Sequence, residues 1–131
     1  MKFLLDTNAV IALLKRDARL IARLRQHGPS DFAVPAIAAH ELFYGAFKGA
    51  RVAENLVRVE AIQLEVLAFD QEDARKAGEL RALLARAGTP IGPYDVLIAG
   101  QALARDLTLI THNLREFRRV PGLRVEGWEG A

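Results

Sequence analysis

The chain has 131 residues, of which 51% are hydrophobic and 26% charged, and this composition excludes collagen-like, coiled-coil and disordered chains. Its 18 Lys and Arg residues against 16 Asp and Glu give a formal net charge of +2, which by itself does not indicate a nucleic-acid partner. Without cysteine there is no disulfide, thiolate zinc site or cysteine nucleophile, and a reducing cytoplasm is expected.

The first half of the chain alternates short apolar strands with helices. Residues 2–6 predict a buried strand. A single helix is expected from Ala9 to Leu24, where apolar side chains repeat at helical spacing until Gly28 and Pro29 stop the pattern. The elements predicted after it are a strand over 31–35 and helices over 37–48 and 51–64.

The second half continues the alternation and ends in further strands. The elements predicted there are a strand over 66–69, a helix over 71–87, a Pro-Gly loop over 89–93, a buried helix over 94–105, and strands over 107–111 and 123–126. Strands separated by one or two helices predict an α/β fold, with a central, mostly parallel sheet of four to five strands flanked by helices on both faces. Residues 1–131 are expected to form a single domain, and no apolar run is long enough for a signal peptide or a membrane span.

Polar residues follow three of the predicted strands, where open α/β sheets bind their ligands. Asp6 follows the first strand, Asp70 the third, and Thr111-His112-Asn113 the fourth. Asp6 and Asp70 are also residue types that cap helix N-termini. Asp70, which precedes Gln71-Glu72-Asp73, is interpreted as such a cap, whereas both interpretations stay open for Asp6.

Two more carboxylates lie on helices near that edge of the sheet. Asp95 begins the buried helix directly after the Pro-Gly loop, where the helix dipole favours the ionised form. Glu41 shares a helix face with Ile37 and Tyr44, and Gly45 leaves room beside it. A glutamate on such a face needs a partner, either a ligand or a surface Lys or Arg, unless its side chain extends to the surface and is solvated there.

Together, Asp6, Glu41 and Asp95 predict a metal site. Two carboxylates about 4 Å apart repel by roughly 4 kcal/mol at an effective dielectric of about 20, so a cluster of three needs a cation or raised pKa values. Oxygen ligands select Mg²⁺ or Mn²⁺, ions that activate water and hold phosphate oxygens. The pattern indicates hydrolysis of phosphodiester bonds.

Other chemistries fit the sequence less well. The histidines His27, His40 and His112 never occur in a two-histidine metal spacing, although His40 and His112 are expected to be minor polar contacts of the site. No glycine-rich phosphate loop follows the first strand. A phosphatase that works through a phosphorylated Asp6 would want a second acid where Asn8 stands.

Four short motifs carry a resemblance to a known family. They are Leu4-Leu5-Asp6-Thr7-Asn8, Glu41-Leu42-Phe43-Tyr44-Gly45, Ile91-Gly92-Pro93-Tyr94-Asp95 with Ile98-Ala99, and Thr111-His112-Asn113-Leu114-Arg115-Glu116-Phe117 followed by Val120-Pro121-Gly122-Leu123. In this order and spacing they resemble the PIN-domain nucleases, and most closely the VapC toxins of type II toxin–antitoxin modules. The resemblance runs from end to end.

The resemblance implies a PIN-like fold and a Mg²⁺- or Mn²⁺-dependent endoribonuclease in which Asp6, Glu41 and Asp95 hold the metal. Asp6 and Asp95 would be the chief ligands, and a metal-activated water would attack the RNA phosphate. Thr111 would hydrogen-bond within the acidic cluster. The resemblance also implies a homodimer and a cognate VapB-type antitoxin, and no membrane association is expected.

The fourth motif departs from the family, because many PIN domains have an acid where this chain has Asn113. Asn113 remains a candidate catalytic residue, since an amide oxygen can ligate a metal without adding charge. Glu116 would supply the missing acid if the chain turns helical there. The neutral residue also keeps open a second hypothesis, a non-catalytic PIN-like module that binds RNA or protein.

The surface around the site yields further expectations. Three arginines after the fourth strand are expected either to contact RNA phosphates or to lie in a solvated loop: Arg115, Arg118 and Arg119. Tyr94 is expected to pack inside rather than to stack on a base. Leu42, Phe43 and Phe47 exceed the needs of one helix face, which predicts a dimer or antitoxin interface or a deep core position.

Overall fold

The computed structural model describes residues 1–130. The strands are β1 (Phe3–Leu5), β2 (Phe32–Pro35), β3 (Glu65–Leu67), β4 (Thr108–Ile110) and β5 (Val125–Glu126). The helices are α1 (Thr7–Leu14), α2 (Ala18–Leu24), α3 (Ala36–Lys48), α4 (Val52–Glu60), α5 (Gln71–Arg86), α6 (Pro93–Ala104) and α7 (Leu114–Phe117). None of these helices is long and apolar enough to cross a lipid bilayer.

The strands form one sheet in the order β3-β2-β1-β4-β5, and every described pair is parallel. The predicted α/β fold is confirmed, with a sheet that is parallel throughout. β1 lies at the centre, where Phe3 is in register with both Phe32 and Thr108. Parallel strands end at the same edge of a sheet, so the residues that follow β1 and β4 come together there.

The core lies on and around the three central strands. Every residue of β1, β2 and β4 is buried, as continuous apolar strands in a parallel sheet should be. The predicted buried helix, α6, packs closely against α5: a Cβ added at Gly100 would lie 2.5 Å from the Cα of Ala77. This close approach sets the position of α6 against α5, and with it the position of Asp95 in the first turn of α6.

The prediction of a single helix from Ala9 to Leu24 is wrong, because the chain forms α1 and α2 with a break between them. Arg16 in the break has a φ of 59°, in the left-handed region. Asp17 then accepts a hydrogen bond from the Leu20 amide at 3.0 Å and caps α2. An apolar repeat at helical spacing therefore continued across a turn that only the capping residue marks.

Candidate active site

The three acids singled out by the sequence line one cavity of about 770 Å³. Asp6 directly follows β1, Glu41 lies in the second turn of α3, and Asp95 lies in the first turn of α6. The end of β1 and the N-terminal parts of α3 and α6 thus place three carboxyl groups at the same edge of the sheet. The predicted convergence of Asp6, Glu41 and Asp95 is what the structure shows.

Asp6 is 3% exposed, and its two carboxylate oxygens have different neighbours. Oδ1 accepts a hydrogen bond from the Ala9 amide at 2.8 Å and caps α1, while Oδ2 accepts one from Thr111 Oγ1 at 2.5 Å. Burial raises the pKa of Asp6 to about 6, although both hydrogen bonds act in the opposite direction. The charges of Glu129 and Glu41 also contribute to this raised pKa. Asp6 is therefore both a helix cap and a member of the acidic site.

Asp95 shares its surroundings with Glu116 of α7. Burial, the charge of Glu116 and a hydrogen bond between the two carboxyl groups together raise the pKa of Asp95 to about 7. The pKa of Glu116 is lowered because its carboxylate accepts hydrogen bonds from the Gly92 amide at 2.6 Å and from Asn113 Nδ2 at 2.7 Å. Below about pH 7, Asp95 therefore holds the proton of the pair and Glu116 carries the charge.

Glu41 is oriented by α1, since its Oε1 accepts a hydrogen bond from Thr7 Oγ1 at 2.8 Å. A Cβ added at Gly45 would meet no atom within 4 Å, so the predicted room beside Glu41 is present. Across residues 1–130, no lysine or arginine forms a salt bridge with Asp6, Glu41 or Asp95. The interpretation of Glu41 as half of a surface ion pair is therefore wrong.

This donor set fits a hard divalent cation in its chemistry. Asp6 and Asp95 are buried or half-buried carboxyl groups with raised pKa values, and no Lys or Arg of residues 1–130 forms a salt bridge with them or with Glu41. Mg²⁺ or Mn²⁺ would relieve the repulsion between such acids. Within residues 1–130, no three acidic or histidine side chains lie close enough to enclose an ion as they stand. Binding would therefore require the carboxyl groups to release protons and to draw together, which makes metal affinity pH-dependent.

Thr111 and Asn113 have supporting positions. Thr111 is 1% exposed, and its hydroxyl both donates to Asp6 and accepts from the Asn113 amide at 3.0 Å. The Asn113 side chain points to Glu116 and helps line a neighbouring cavity of about 580 Å³. Asn113 thus helps to fix the carboxylate of Glu116, which lies in the first turn of α7.

Glu129 was missed by the sequence reasoning. Its Oε2 lies 3.5 Å from His112 Nδ1, its Oε1 is buried and finds no hydrogen-bond partner among the described residues, and its charge raises the pKa of Asp6. Glu129 follows β5 by three residues, so a rule that considers only the residue directly after a strand does not select it. His40 lines the acidic cavity and His112 the neighbouring one, as polar contacts of the kind expected.

The remaining strand-end acid has no part in the site. Asp70 Oδ1 accepts a hydrogen bond from the Asp73 amide in a capping box at the start of α5, and its Oδ2 pairs with Arg105 at 3.2 Å. Its interpretation as a cap is confirmed. The three candidate RNA-binding arginines are exposed on and just after α7, and one of them, Arg119, donates to the Pro90 carbonyl at 3.1 Å.

Two expectations about apolar side chains are wrong. Tyr94 is 47% exposed and lines the acidic cavity, so it does not pack inside. Phe43 and Phe47 are 36% and 61% exposed, which excludes a deep core position for both, whereas Leu42 is buried. The cause is shared: these residues lie on helix faces that turn away from the sheet.

Comparison with known proteins decides the family. The PIN domain model matches residues 3–123. The tRNA(fMet)-specific endonuclease VapC of Salmonella typhimurium is 45% identical over 130 residues, which cover 98% of each chain. The chain belongs to the PIN-domain family, in its VapC group.

Other relatives agree with this assignment. A protein of the same name from Shigella flexneri is 38% identical to this PIN domain over 130 residues, again 98% of each chain. The crystal structure of DNA-bound VapBC from Salmonella typhimurium contains a chain with 44% identity and a TM-score of 0.93, with 98% of each chain covered. The expected VapC resemblance and the expected class of enzyme, a nuclease, are confirmed, and the non-catalytic alternative loses its support.

Proposed function

We propose that this PIN domain is the toxin of a toxin–antitoxin pair and hydrolyses RNA phosphodiester bonds with Mg²⁺ or Mn²⁺. The observation that carries the proposal is the convergence of Asp6, Glu41 and Asp95 on one cavity, with no basic side chain of residues 1–130 paired to them. Its support from relatives is the 45% identity to an enzyme named as a tRNA(fMet)-specific endonuclease.

Asp6 and Asp95 are the chief ligands in this proposal, and Glu41 contributes directly or through a water. A divalent cation supplies a lowered pKa for water and a positive charge for phosphate oxygens when it is bound at such a site. Thr111 holds Asp6 in a fixed orientation through its donated hydrogen bond. Asp95 must release the proton that burial and Glu116 keep on it, so cleavage rises with pH through the neutral range.

Glu116 takes the fourth acidic place that Asn113 leaves. Its carboxylate is charged, is fixed by the Gly92 amide and Asn113 Nδ2, and shares a hydrogen bond with Asp95. Asn113 therefore acts as a positioning residue for Glu116. Arg115, Arg118 and Arg119, exposed near this end of the sheet, contact RNA phosphates without reading sequence.

The partners follow from the relatives. The proposed substrate is tRNA(fMet), which the names of the Salmonella and Shigella enzymes specify. The proposed compartment is the cytoplasm, where that RNA is found and where a chain without cysteine is at no disadvantage. The proposed inhibitor is an antitoxin of the VapB type, because the Salmonella structure is a VapBC complex. An apolar groove of about 590 Å³ between α1, α2 and α4 offers it a surface, and the exposed Phe43 and Phe47 suit a homodimer contact.

Cleavage by the purified chain tests this function. The wild type is incubated with tRNA(fMet) and with total RNA in Mg²⁺, Mn²⁺ or EDTA, and the new ends are mapped by sequencing. Cleavage should require the cation and should be lost in Asp6→Asn and Asp95→Asn. The matched control is Asp70→Asn, which changes a strand-end aspartate outside the cavity and should cut like the wild type. Equal cleavage by all variants, or none by the wild type with either cation, would overturn the proposal.

A further inference from the structure

Three aromatic side chains stand at the mouth of the acidic cavity: His40, Tyr44 and Tyr94. Tyr44 is 61% exposed and Tyr94 is 47% exposed, so both rings present carbon surface to solvent instead of to the core. One exposed ring needs no explanation, but exposed rings that line the same cavity mark a surface that a ligand can cover. Among the described lining residues, Ile11 is the only aliphatic one. The mouth is therefore polar and aromatic, unlike an apolar docking groove.

The backbone ties these rings to the acids. His40 directly precedes Glu41 and Tyr94 directly precedes Asp95, while Tyr44 lies one helical turn beyond Glu41. All three rings stand on α3 or α6 rather than on loops. Their distances from the carboxylates are consequently set by two rigid helices, which is the arrangement that a precise binding site needs.

The rings also have fixed neighbours. His40 and Tyr94 lie edge to face across the gap between α3 and α6, with ring centroids 5.5 Å apart and an interplanar angle of 67°. This contact holds the tilt of the Tyr94 ring. Lys48 Nζ lies 5.6 Å from the Tyr44 ring centroid, which places a positive charge suited to a phosphate beside the second ring.

We infer that Tyr94 and Tyr44 form a platform on which unpaired nucleobases of the RNA stack beside the scissile phosphate. This inference rests on the proposed function for its substrate and adds which part of the RNA is held. Tyr94, with its tilt set by His40, takes the base nearest the acidic cavity, and Tyr44 takes a base further along the strand, whose phosphate Lys48 contacts. A base inside a duplex has no free face, so the platform selects loops or single strands.

Stacking can be measured apart from cleavage. Single-stranded RNA oligonucleotides with 2-aminopurine at successive positions are bound to the full-length Asp6→Asn variant, which is expected not to cut them. Quenching of the fluorescence should mark the stacked positions. In the same background, Tyr94→Leu should restore the fluorescence at one position and raise the Kd about 5- to 150-fold, the equivalent of about 1–3 kcal/mol per stacked base. Tyr94→Phe keeps the ring and should behave like its parent.

An oligonucleotide with an abasic site at the quenched position provides the matched comparison. The protein with Tyr94 should bind the abasic RNA more weakly than the intact RNA, because the ring has no base to stack on. For the same reason, the protein with Tyr94 and Tyr94→Leu should bind the abasic RNA with equal Kd. Leu83→Ala controls for the loss of an exposed apolar side chain, since Leu83 is 40% exposed on α5 and lies outside the cavity lining. It should leave the Kd and the quenching unchanged.

The outcomes separate the two proposals. The platform is overturned if the double variant with Tyr94→Leu and Tyr44→Leu binds intact RNA with the parent's Kd and quenching, or if no position is quenched. This holds whether or not the wild type cuts RNA. If the rings stack bases as described but the wild type never cleaves with either cation, the platform stands and the proposed function fails.

Discussion

Thr111 Oγ1 and Asp6 Oδ2 are joined by a hydrogen bond of 2.5 Å that spans the β1–β4 pair. The sheet itself sets this contact: Leu5 is in register with Ile110, and Asp6 and Thr111 are the next residue of each strand. The hydroxyl stabilises the ionised carboxylate against its burial. One pair thus connects the register of the sheet with the charge state of the site.

Removal of that hydroxyl should weaken metal binding. Thr111→Val keeps the shape of the side chain but cannot donate, so the pKa of Asp6 should rise and its carboxylate should turn more freely. We expect the affinity for Mn²⁺, measured by isothermal titration calorimetry, to fall about 10- to 100-fold. Thr111→Ser retains the donor and should bind within a small factor of wild type. Wild-type affinity in Thr111→Val would show that the hydrogen bond does not orient a metal ligand.

Asp6→Asn should stabilise the metal-free protein at neutral and alkaline pH. Burial raises the pKa of Asp6 from 3.8 to about 6, so between these values the folded state holds a proton that the unfolded chain has released. The free energy of unfolding therefore falls as the pH rises through this window, by about 3 kcal/mol for a shift of this size. Asparagine cannot ionise, so the variant should lose this slope.

Urea unfolding in EDTA at about pH 4.5 and about pH 8 measures that slope. The wild type should be less stable at the higher pH than Asp6→Asn, and saturating Mn²⁺ should restore the stability of the wild type alone. Asp70→Asn, outside the cavity, should follow the wild type at both values. A wild type whose stability does not fall would refute the raised pKa.

Glu116→Gln should lower the pKa of Asp95 in the metal-free protein. The charge of Glu116, after burial, is the second cause that raises this pKa to about 7, and glutamine removes it while it can still accept from the Gly92 amide. Carboxyl ¹³C shifts followed over a pH titration give the value directly. Glu79→Gln, on the exposed face of α5, is the control that should leave Asp95 unchanged. An unchanged pKa in Glu116→Gln would show that the charge of Glu116 does not raise the pKa of Asp95.

The sequence identifies most of the site because strand ends are easy to recognise in a parallel sheet. A short apolar run followed by a polar residue predicted the places of Asp6 and Thr111, and the sheet order makes those places neighbours. The same rule did not select Glu129, because this residue stands three positions beyond the end of β5 and not directly after it. The rule therefore reaches only the residues that directly follow a strand.

Exposure and helix breaks are less visible in the sequence. Tyr94 stands in the first turn of a mostly apolar helix, yet its ring is 47% exposed and lines the acidic cavity, while Gly100 of the same helix lies against α5. The break before α2 depends on one capping aspartate, Asp17, inside an apolar repeat. Both outcomes depend on tertiary contacts or on a single hydrogen bond, which periodicity does not encode.

Two helix glycines test how tightly α5 and α6 are packed. A Cβ at Gly100 would lie 2.5 Å from Ala77 Cα and 2.7 Å from Ala77 N, backbone atoms that move only if the two helices separate, whereas a Cβ at Gly78 would meet nothing within 4 Å. Gly100→Ala should therefore lower the free energy of unfolding by about 1–3 kcal/mol. Gly78→Ala should raise it by about 0.5–1 kcal/mol through helix propensity alone. Because both variants gain the same propensity, the difference between them in urea unfolding isolates the packing, and equal stability would mean that α6 is free to move away from α5.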